Sequence, residues 1–384
     1  MSTEDLLGDA LRARVDHTDH PRTPLADVVS TARRIRRRRR ATTAAVAAVV
    51  VAVLATPFVL TAGNRPDSAP DPTPPTPDVR LGDVPLGDLP GVAWLDGSDY
   101  VAADGTRTTL PLDQVTRATP YDGGFLVTSF GDRRITLLDG RLREVSRRCY
   151  AGGGFAVSDD GLRTAYTTSG CDRSDPILHV GPTGGDGGER TAPLPIVDAG
   201  PVGFLGDGVV VNSLNEGPPA IVTPGDSPTH LDVLGTAVDV DERLGLVAGR
   251  LAGEPTPEQM VPTGAVVDGS TGMVMWSAPG WSPLAFSPDG SMVVAARAGA
   301  VPTVLAALDS GTGEPLHEIA LPAGVQVWQL AWEDDEHLLI AVSQDRTEAM
   351  LRSTLDGTFE RATDTAPYDE DRARRFGPAP NKFP

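Results

Sequence analysis

From about residue 81 onward, apolar residues come in short runs rich in Val, Ala and Leu, paired about tight acidic turns. The clearest pair is Leu284-Ala-Phe-Ser-Pro-Asp-Gly-Ser-Met-Val-Val-Ala-Ala296. Here Pro288, Asp289 and Gly290 supply turn chemistry between two runs suited to half-buried pleated strands. Weaker copies place turn acids at Asp96, Asp122, Asp160, Asp207, Glu242 and Asp335, and successive turns lie 26, 38, 47, 35, 47 and 46 residues apart. A second turn follows each first one, at Asp104-Gly105, Asp139-Gly140, Gly184 to Gly188, Gly225-Asp226, Asp268 to Gly272, Asp309 to Gly313 and Asp356-Gly357.

Three to four strands between first turns is the size of one propeller blade, and a blade cannot bury both faces alone, so the copies must form a ring. The pattern predicts an all-β, about seven-bladed β-propeller over residues 81–365, with residues 366–384 as a C-terminal tail. The alternative for that last stretch is an edge strand added to the first blade to close the ring. Trp94, Phe204, Phe286 and Trp332 beside the turns are expected as wedges between blades rather than ligand contacts.

Upstream the pattern changes. Residues 41–63 carry no charge and are mostly Ala and Val, with Leu54, Phe58 and Leu60 adding bulk. As a helix they span roughly 34 Å, enough for a hydrocarbon core of about 30 Å. Arg33, Arg34, Arg36, Arg37, Arg38, Arg39 and Arg40 stand immediately before. Basic clusters stay cytoplasmic, and this one is placed to touch anionic lipid. The expectation is an uncleaved single-pass anchor in the cell membrane, N-terminus cytoplasmic and C-terminus extracytoplasmic. A cleaved signal peptide would have a shorter leader and a better exit than Leu60-Thr61-Ala62.

Residues 1–40 read as a cytoplasmic pair of short amphipathic helices, with Leu6, Leu7, Ala10 and Leu11 on one stripe and Leu25, Val28, Val29, Ala32 and Ile35 on the other. Neither stripe makes a core alone, so the pair must fold on itself, lie on the membrane or dock a partner. Residues 64–80 form a linker in which six prolines between Pro66 and Pro77 favour extended polyproline II.

Charge sharpens this partition. Ten Arg against six Asp or Glu in residues 1–40 leave 23 basic against 46 acidic residues beyond, out of totals of 33 and 52. A phosphate backbone needs Lys and Arg to displace its counterions, so nucleic acid is not an expected partner of residues 64–384. Lys382 is the only Lys against 32 Arg, a bias of high-GC coding that points to an actinobacterial origin. Cys149 and Cys171 are the only cysteines and follow the apolar stretch; they are candidates for a disulfide in an oxidising compartment, the alternative being two buried thiols.

No Gly-x-Ser-x-Gly elbow, His-Glu-x-x-His pair, Walker loop or Rossmann fingerprint occurs. His179, His230, His317 and His337 are scattered over different blades, and His230 and His317 fall in outer-strand contexts. The runs Asp239-Val240-Asp241-Glu242 and Glu333-Asp334-Asp335-Glu336 lack the alternating spacing of a calcium loop and read as turns. The expectation is a binding or sensing module rather than an enzyme, with no catalytic, metal or cofactor residues assigned. The alternative is a propeller hydrolase or lactonase with its site in the central channel.

Two resemblances follow from these residues. The short amphipathic N-terminus, Arg cluster, single span and Pro-rich linker resemble actinobacterial membrane proteins often encoded beside extracytoplasmic-function sigma factors, some of which are anti-sigma factors. That likeness implies a sigma factor as cytoplasmic partner of residues 1–40. Zinc-type anti-sigma domains pair His with Cys, whereas His17 and His20 have no cysteine near them. Phe286-Ser-Pro-Asp-Gly290 looks like the signature of TolB-like and WD40-like bacterial propellers. Val157-Ser-Asp-Asp-Gly161 and Trp332-Glu-Asp-Asp-Glu336 keep its shape without the Pro.

Overall fold

The computed structural model describes residues 79–378 except 133, 171–174, 184–187, 195–198, 214–216, 254–261, 299–302 and 369–374, and gives no side-chain description for 150–153 or 213. The predicted cytoplasmic helices, the Arg cluster at 33–40, the span at 41–63 and linker residues 64–78 lie outside the described residues. Among the described residues no helix is long and apolar enough to cross a membrane.

Among the described residues, twenty-eight strands make seven antiparallel blades. The first holds β1 (Trp94–Asp96), β2 (Asp99–Val101) and β3 (Arg107–Thr109). The second holds β4 (Val115–Tyr121), β5 (Gly124–Ser129), β6 (Arg134–Leu138) and the first part of β7 (Glu144–Val157). The long β7 then becomes the innermost strand of the third blade, with β8 (Arg163–Thr168), β9 (Ile177–Pro182) and β10 (Arg190–Pro193) outside it. The fourth blade is β11 (Ala199–Leu205), β12 (Gly208–Ser213), β13 (Ala220–Val222) and β14 (Thr229–His230). The fifth is β15 (Leu234–Asp241), β16 (Leu246–Leu251), β17 (Thr263–Asp268) and β18 (Val274–Pro279). The sixth is β19 (Trp281–Phe286), β20 (Met292–Arg297), β21 (Val304–Asp309) and β22 (Pro315–Ala320). The seventh is β23 (Gln326–Trp332), β24 (His337–Gln344), β25 (Thr347–Thr354) and β26 (Phe359–Arg361), with β27 (Ala366–Pro367) on β25.

The last strand, β28 (Phe376–Pro378), pairs with β1 and is innermost in the first blade. Residues 366–384 are therefore not simply a tail: the closing-strand alternative is the arrangement found. Burying Trp94, Phe376 and their neighbours between the seventh and first blades favours it over a free end, because the ring then has no exposed inner seam. Asp96 closes a turn between the second and third strands of its blade, whereas the other six first turns join the innermost strand to the second. The second turns lie between third and fourth strands.

Seven apolar clusters make the core, one at each junction between neighbouring blades. Phe204 sits between the third and fourth blades, Phe286 between the fifth and sixth, Trp332 between the sixth and seventh, and Trp94 between the seventh and first. These are the four expected wedges. Flat rings fill the gap where two twisted sheets splay, and the Trp332 indole N–H donates across the junction to the Ala285 carbonyl at 3.2 Å.

The turn motif also explains why its proline is dispensable. In Ser287-Pro-Asp-Gly290, the Asp289 carboxylate accepts from the Ser287 hydroxyl at 2.8 Å and the Ser291 N–H at 2.9 Å, and Ser287 Oγ accepts the Met292 N–H at 2.9 Å. Ser158-Asp-Asp-Gly161 repeats this with Asp160, Leu162 and Arg163. Side-chain bonds set the turn, and they form equally with Pro288 or Asp159 at its second position.

Candidate functional site

The innermost strands surround a cavity of about 480 Å³ lined by residues of all seven blades. Small-molecule sites run from about 300 to 1,000 Å³, so the space is large enough for a ligand. Its apolar collar arises from register slips. Where β11, β15, β19 and β23 pair with their neighbours, the ladder skips one residue at Val202, Val238, Leu284 and Trp328, and these four line the cavity. A bulge re-aims a side chain that strict alternation would send into a blade junction. A fifth slip falls at Thr116 in β4, and the adjacent Arg117 joins the lining.

Polar groups gather at the end of the cavity ringed by the first turns. Asp159, Asp241, Arg243, Ser287 and Pro288 lie there, and Asp239 lies deeper. Asp239 and Asp241 are buried, yet each accepts a backbone N–H: Phe286 on Asp239 at 2.7 Å and Leu244 on Asp241 at 2.9 Å. The first of these bonds ties the fifth blade to the sixth. The other oxygen of Asp241 lies 3.9 Å from Arg243 and against Gly290, which adopts a φ of +68° and has no room for a Cβ beside that carboxylate. No histidine lines the cavity among the described residues.

The same rim is cross-linked between blades. Asp159 and Glu242 exchange backbone N–H to carboxylate bonds, 3.1 Å each, across the short turn of the fourth blade. Arg163 donates to the Gly206 carbonyl at 2.9 Å, pairs with Glu242 and lies 4.6 Å over the Phe204 ring, so one side chain joins three blades. The Asp289 N–H donates to Asp335 at 3.1 Å, linking the sixth and seventh. Of the two acidic runs read as turns, Glu333-Asp334-Asp335-Glu336 is one, whereas Asp239, Val240 and Asp241 end strand β15 and only Glu242 enters the turn; several of their carboxylates are spent on inter-blade bonds.

A second polar centre, missed at the level of sequence, lies between the second and third blades, with His179 and Thr168 buried and Glu189 at its exposed edge. Glu189 accepts from the Tyr121 and Tyr166 hydroxyls at 2.9 and 2.7 Å and from His179 Nδ1 at 2.9 Å. His179 Nε2 pairs with Thr168 at 2.8 Å, and its ring stacks on Tyr166 at 4.6 Å. The bonds from His179, then those from Tyr166 and Tyr121, hold Glu189 down to about 2 against the opposing effect of burial. Burial, helped by Glu189, pushes both phenols above their usual range. Thr168, His179 and Glu189 have the connectivity of a hydrolytic triad. Thr168 is only 6% exposed and His179 3%, so the arrangement has the character of an internal strut. Its only sequence signal was His179 on a strand that otherwise reads apolar.

Of the other candidates, Cys149 is disulfide-bonded, and Cys171, the chain's one other cysteine, lies outside the described residues. His230 and His317 sit on the outermost strands β14 and β22, and His337 pairs with Asp334 at 2.9 Å. No group of three or more His, Cys, Asp or Glu side chains among the described residues is arranged to hold a metal ion.

No protein-family model and no curated protein matches the chain. Solved structures do. The β-propeller domain of Cps50 (Swd1) from Myceliophteria thermophila is 8% identical, with a TM-score of 0.48 over 67% of this chain and 88% of its own. Hsv2 from Kluyveromyces lactis is 12% identical, with a TM-score of 0.45 over 71% and 93%. TolB from Acinetobacter baumannii is 14% identical, with a TM-score of 0.39 over 74% and 65%. Such likeness concerns fold alone, and it is the strand order of the seven blades that makes this chain a seven-bladed β-propeller.

Proposed function

We propose that the chain is an extracytoplasmic binding or sensing module, carried on a single-pass anchor at residues 41–63, with its ligand in the central channel. The observation that carries the binding half is the cavity: a ligand-sized space, collared by re-aimed apolar side chains, on a scaffold whose blades are bonded to one another around the rim. A rigid ring with a preformed space binds without the entropy cost of ordering loops. The export half is supported by the disulfide at Cys149, since cytosolic thiols are kept reduced, and by the Arg cluster ahead of an uncharged stretch. Residues 1–40 would then face the cytoplasm and dock a protein there, a sigma factor being the candidate drawn from the N-terminal resemblance.

Native mass spectrometry of the full-length protein taken from membranes tests the binding half. A co-purifying species present in the wild type and lost in Val238→Trp, which crowds the cavity, is the expected result; the same spectrum for both proteins rejects it. Protease shaving of intact cells tests topology. Residues beyond 80 should be cleaved while residues 1–40 survive, and protection of the propeller refutes the orientation.

A further inference from the structure

We infer that the channel takes an uncharged small molecule that carries an aromatic ring; this rests on the channel-binding reading above. Trp328 is the anchor. It stands at the register slip of β23, lines the cavity and is 41% exposed, whereas the other four tryptophans, Trp94, Trp276, Trp281 and Trp332, are buried. Its indole N–H already donates to Ser343 Oγ at 3.0 Å, and the Tyr368 ring lies 6.0 Å away at 35°. A ring held at its polar edge offers a ligand stacking or edge contact rather than a hydrogen bond. Val202, Val238 and Leu284, at the matching slips of the three preceding blades, are also part-exposed and continue the same apolar wall.

The charged groups of the lining are engaged by the wall itself. The Asp159 carboxylate accepts the Glu242 N–H, Asp239 that of Phe286 and Asp241 that of Leu244, while Arg243 stands beside Asp241 and donates to the Pro288 carbonyl. Asp159, Asp239 and Arg117 hold further interactions within the chain. An ion entering the channel would exchange its water for groups that already have partners, which costs free energy, and a sugar would do the same at several hydroxyls. An uncharged ring loses little water and gains by covering the collar. The volume of about 480 Å³ is that of a small-molecule site.

The test is calorimetry on the full-length protein in lipid nanodiscs, with 2-phenylethanol, 2-cyclohexylethanol, 2-phenylethylammonium, 3-phenylpropionate and glucose as probes. Val238→Trp in the same nanodiscs subtracts uptake by lipid. 2-Phenylethanol should bind at least about tenfold more tightly than either ion or glucose, as expected where a polar group is buried without a new partner. Trp328→Leu should weaken it about fivefold, the worth of one aromatic pair, and 2-cyclohexylethanol by less than about twofold. Equal or tighter binding of an ion or of glucose, lost in Val238→Trp, overturns the uncharged class and leaves channel binding standing. Equal weakening of both alcohols by Trp328→Leu overturns the aromatic assignment. 2-Phenylethanol binding that survives Val238→Trp, or no binding of any probe at millimolar concentration, also overturns the inference, and the co-purifying species then decides the channel reading by itself. If Val238→Trp does not fold, emission decides: 2-phenylethanol should change the fluorescence difference between wild type and Trp328→Leu, and an unchanged difference overturns the inference.

Discussion

Arg352 in β25 reaches Glu333, Glu360 and the carbonyls of Asp88 and Leu89, so it joins two turns and two strands of chain far apart in sequence. Hydrogen bonds donated to Glu333 keep the Arg352 guanidinium more firmly charged than usual despite burial. Removing one partner strands the other, and Glu333 is 9% exposed. Arg352→Met should therefore destabilise the propeller by about 3 kcal/mol in urea unfolding, the typical cost of leaving a buried charge without its partner. Gly290→Ala should cost about 2 kcal/mol by the same measurement, because it forces a side chain into a left-handed backbone and onto Asp241. Glu189 adds a pH dependence. Its folded pKa is depressed to about 2 from an ordinary 4.5, so its contribution is complete above pH 4.5 and lost as pH falls towards 2. Glu189→Gln should flatten that part of the acid denaturation curve. The turn acids were legible because Asx-type bonding is local: Asp289 and Ser291 are two residues apart. Glu189 was not, because Tyr121 lies 68 positions away and only packing of the second blade on the third brings them together.

At the level of elements, strand periodicity and turn chemistry gave seven blades, and wedge aromatics could be read from their place beside the turns. What they could not give is which strand lies innermost in the first blade, since that depends on pairing Trp94 with Pro378 across the whole chain. The register slips at Val202, Val238, Leu284 and Trp328 were likewise hidden, because an extra residue in a strand looks like any other apolar residue until its neighbour is known. The closing strand is short but clasped: Arg375 donates to Asp96 at 2.7 Å, and its N–H bonds Glu348 at 3.1 Å. A chain ending at residue 374 should lose the seam between the seventh and first blades, and limited proteolysis should then cut within β1 to β3 first. Asp96→Ala, which removes the acceptor of both Arg375 and Arg107, should give the same cut sites at a slower rate.

For the molecule as a whole, charge is the property most plainly written in the sequence, and the structure gives it a direction: the first-turn end of the channel is acidic. The disulfide at Cys149 makes a further expectation. Closing a loop of the 22-residue Cys149 to Cys171 spacing is worth about 3 kcal/mol, so reductant should lower the melting temperature by several degrees, and Cys149→Ala should abolish that response. The collar and buried acids of the channel were not legible at this scale, because alternation within a strand says which residues face a neighbouring blade and not which face the axis.

The strand that completes the first blade is translated after every other strand among the described residues. Until Phe376 leaves the ribosome and whatever conducts it to its compartment, the other blades form an arc with Trp94 uncovered at one end and Leu339 and Met350 at the other. Folding of this propeller is thus timed by its finish rather than its start. A nonsense codon at or just before Phe376 would be as damaging to the ring as loss of the first blade, because it removes the strand that pairs with Trp94.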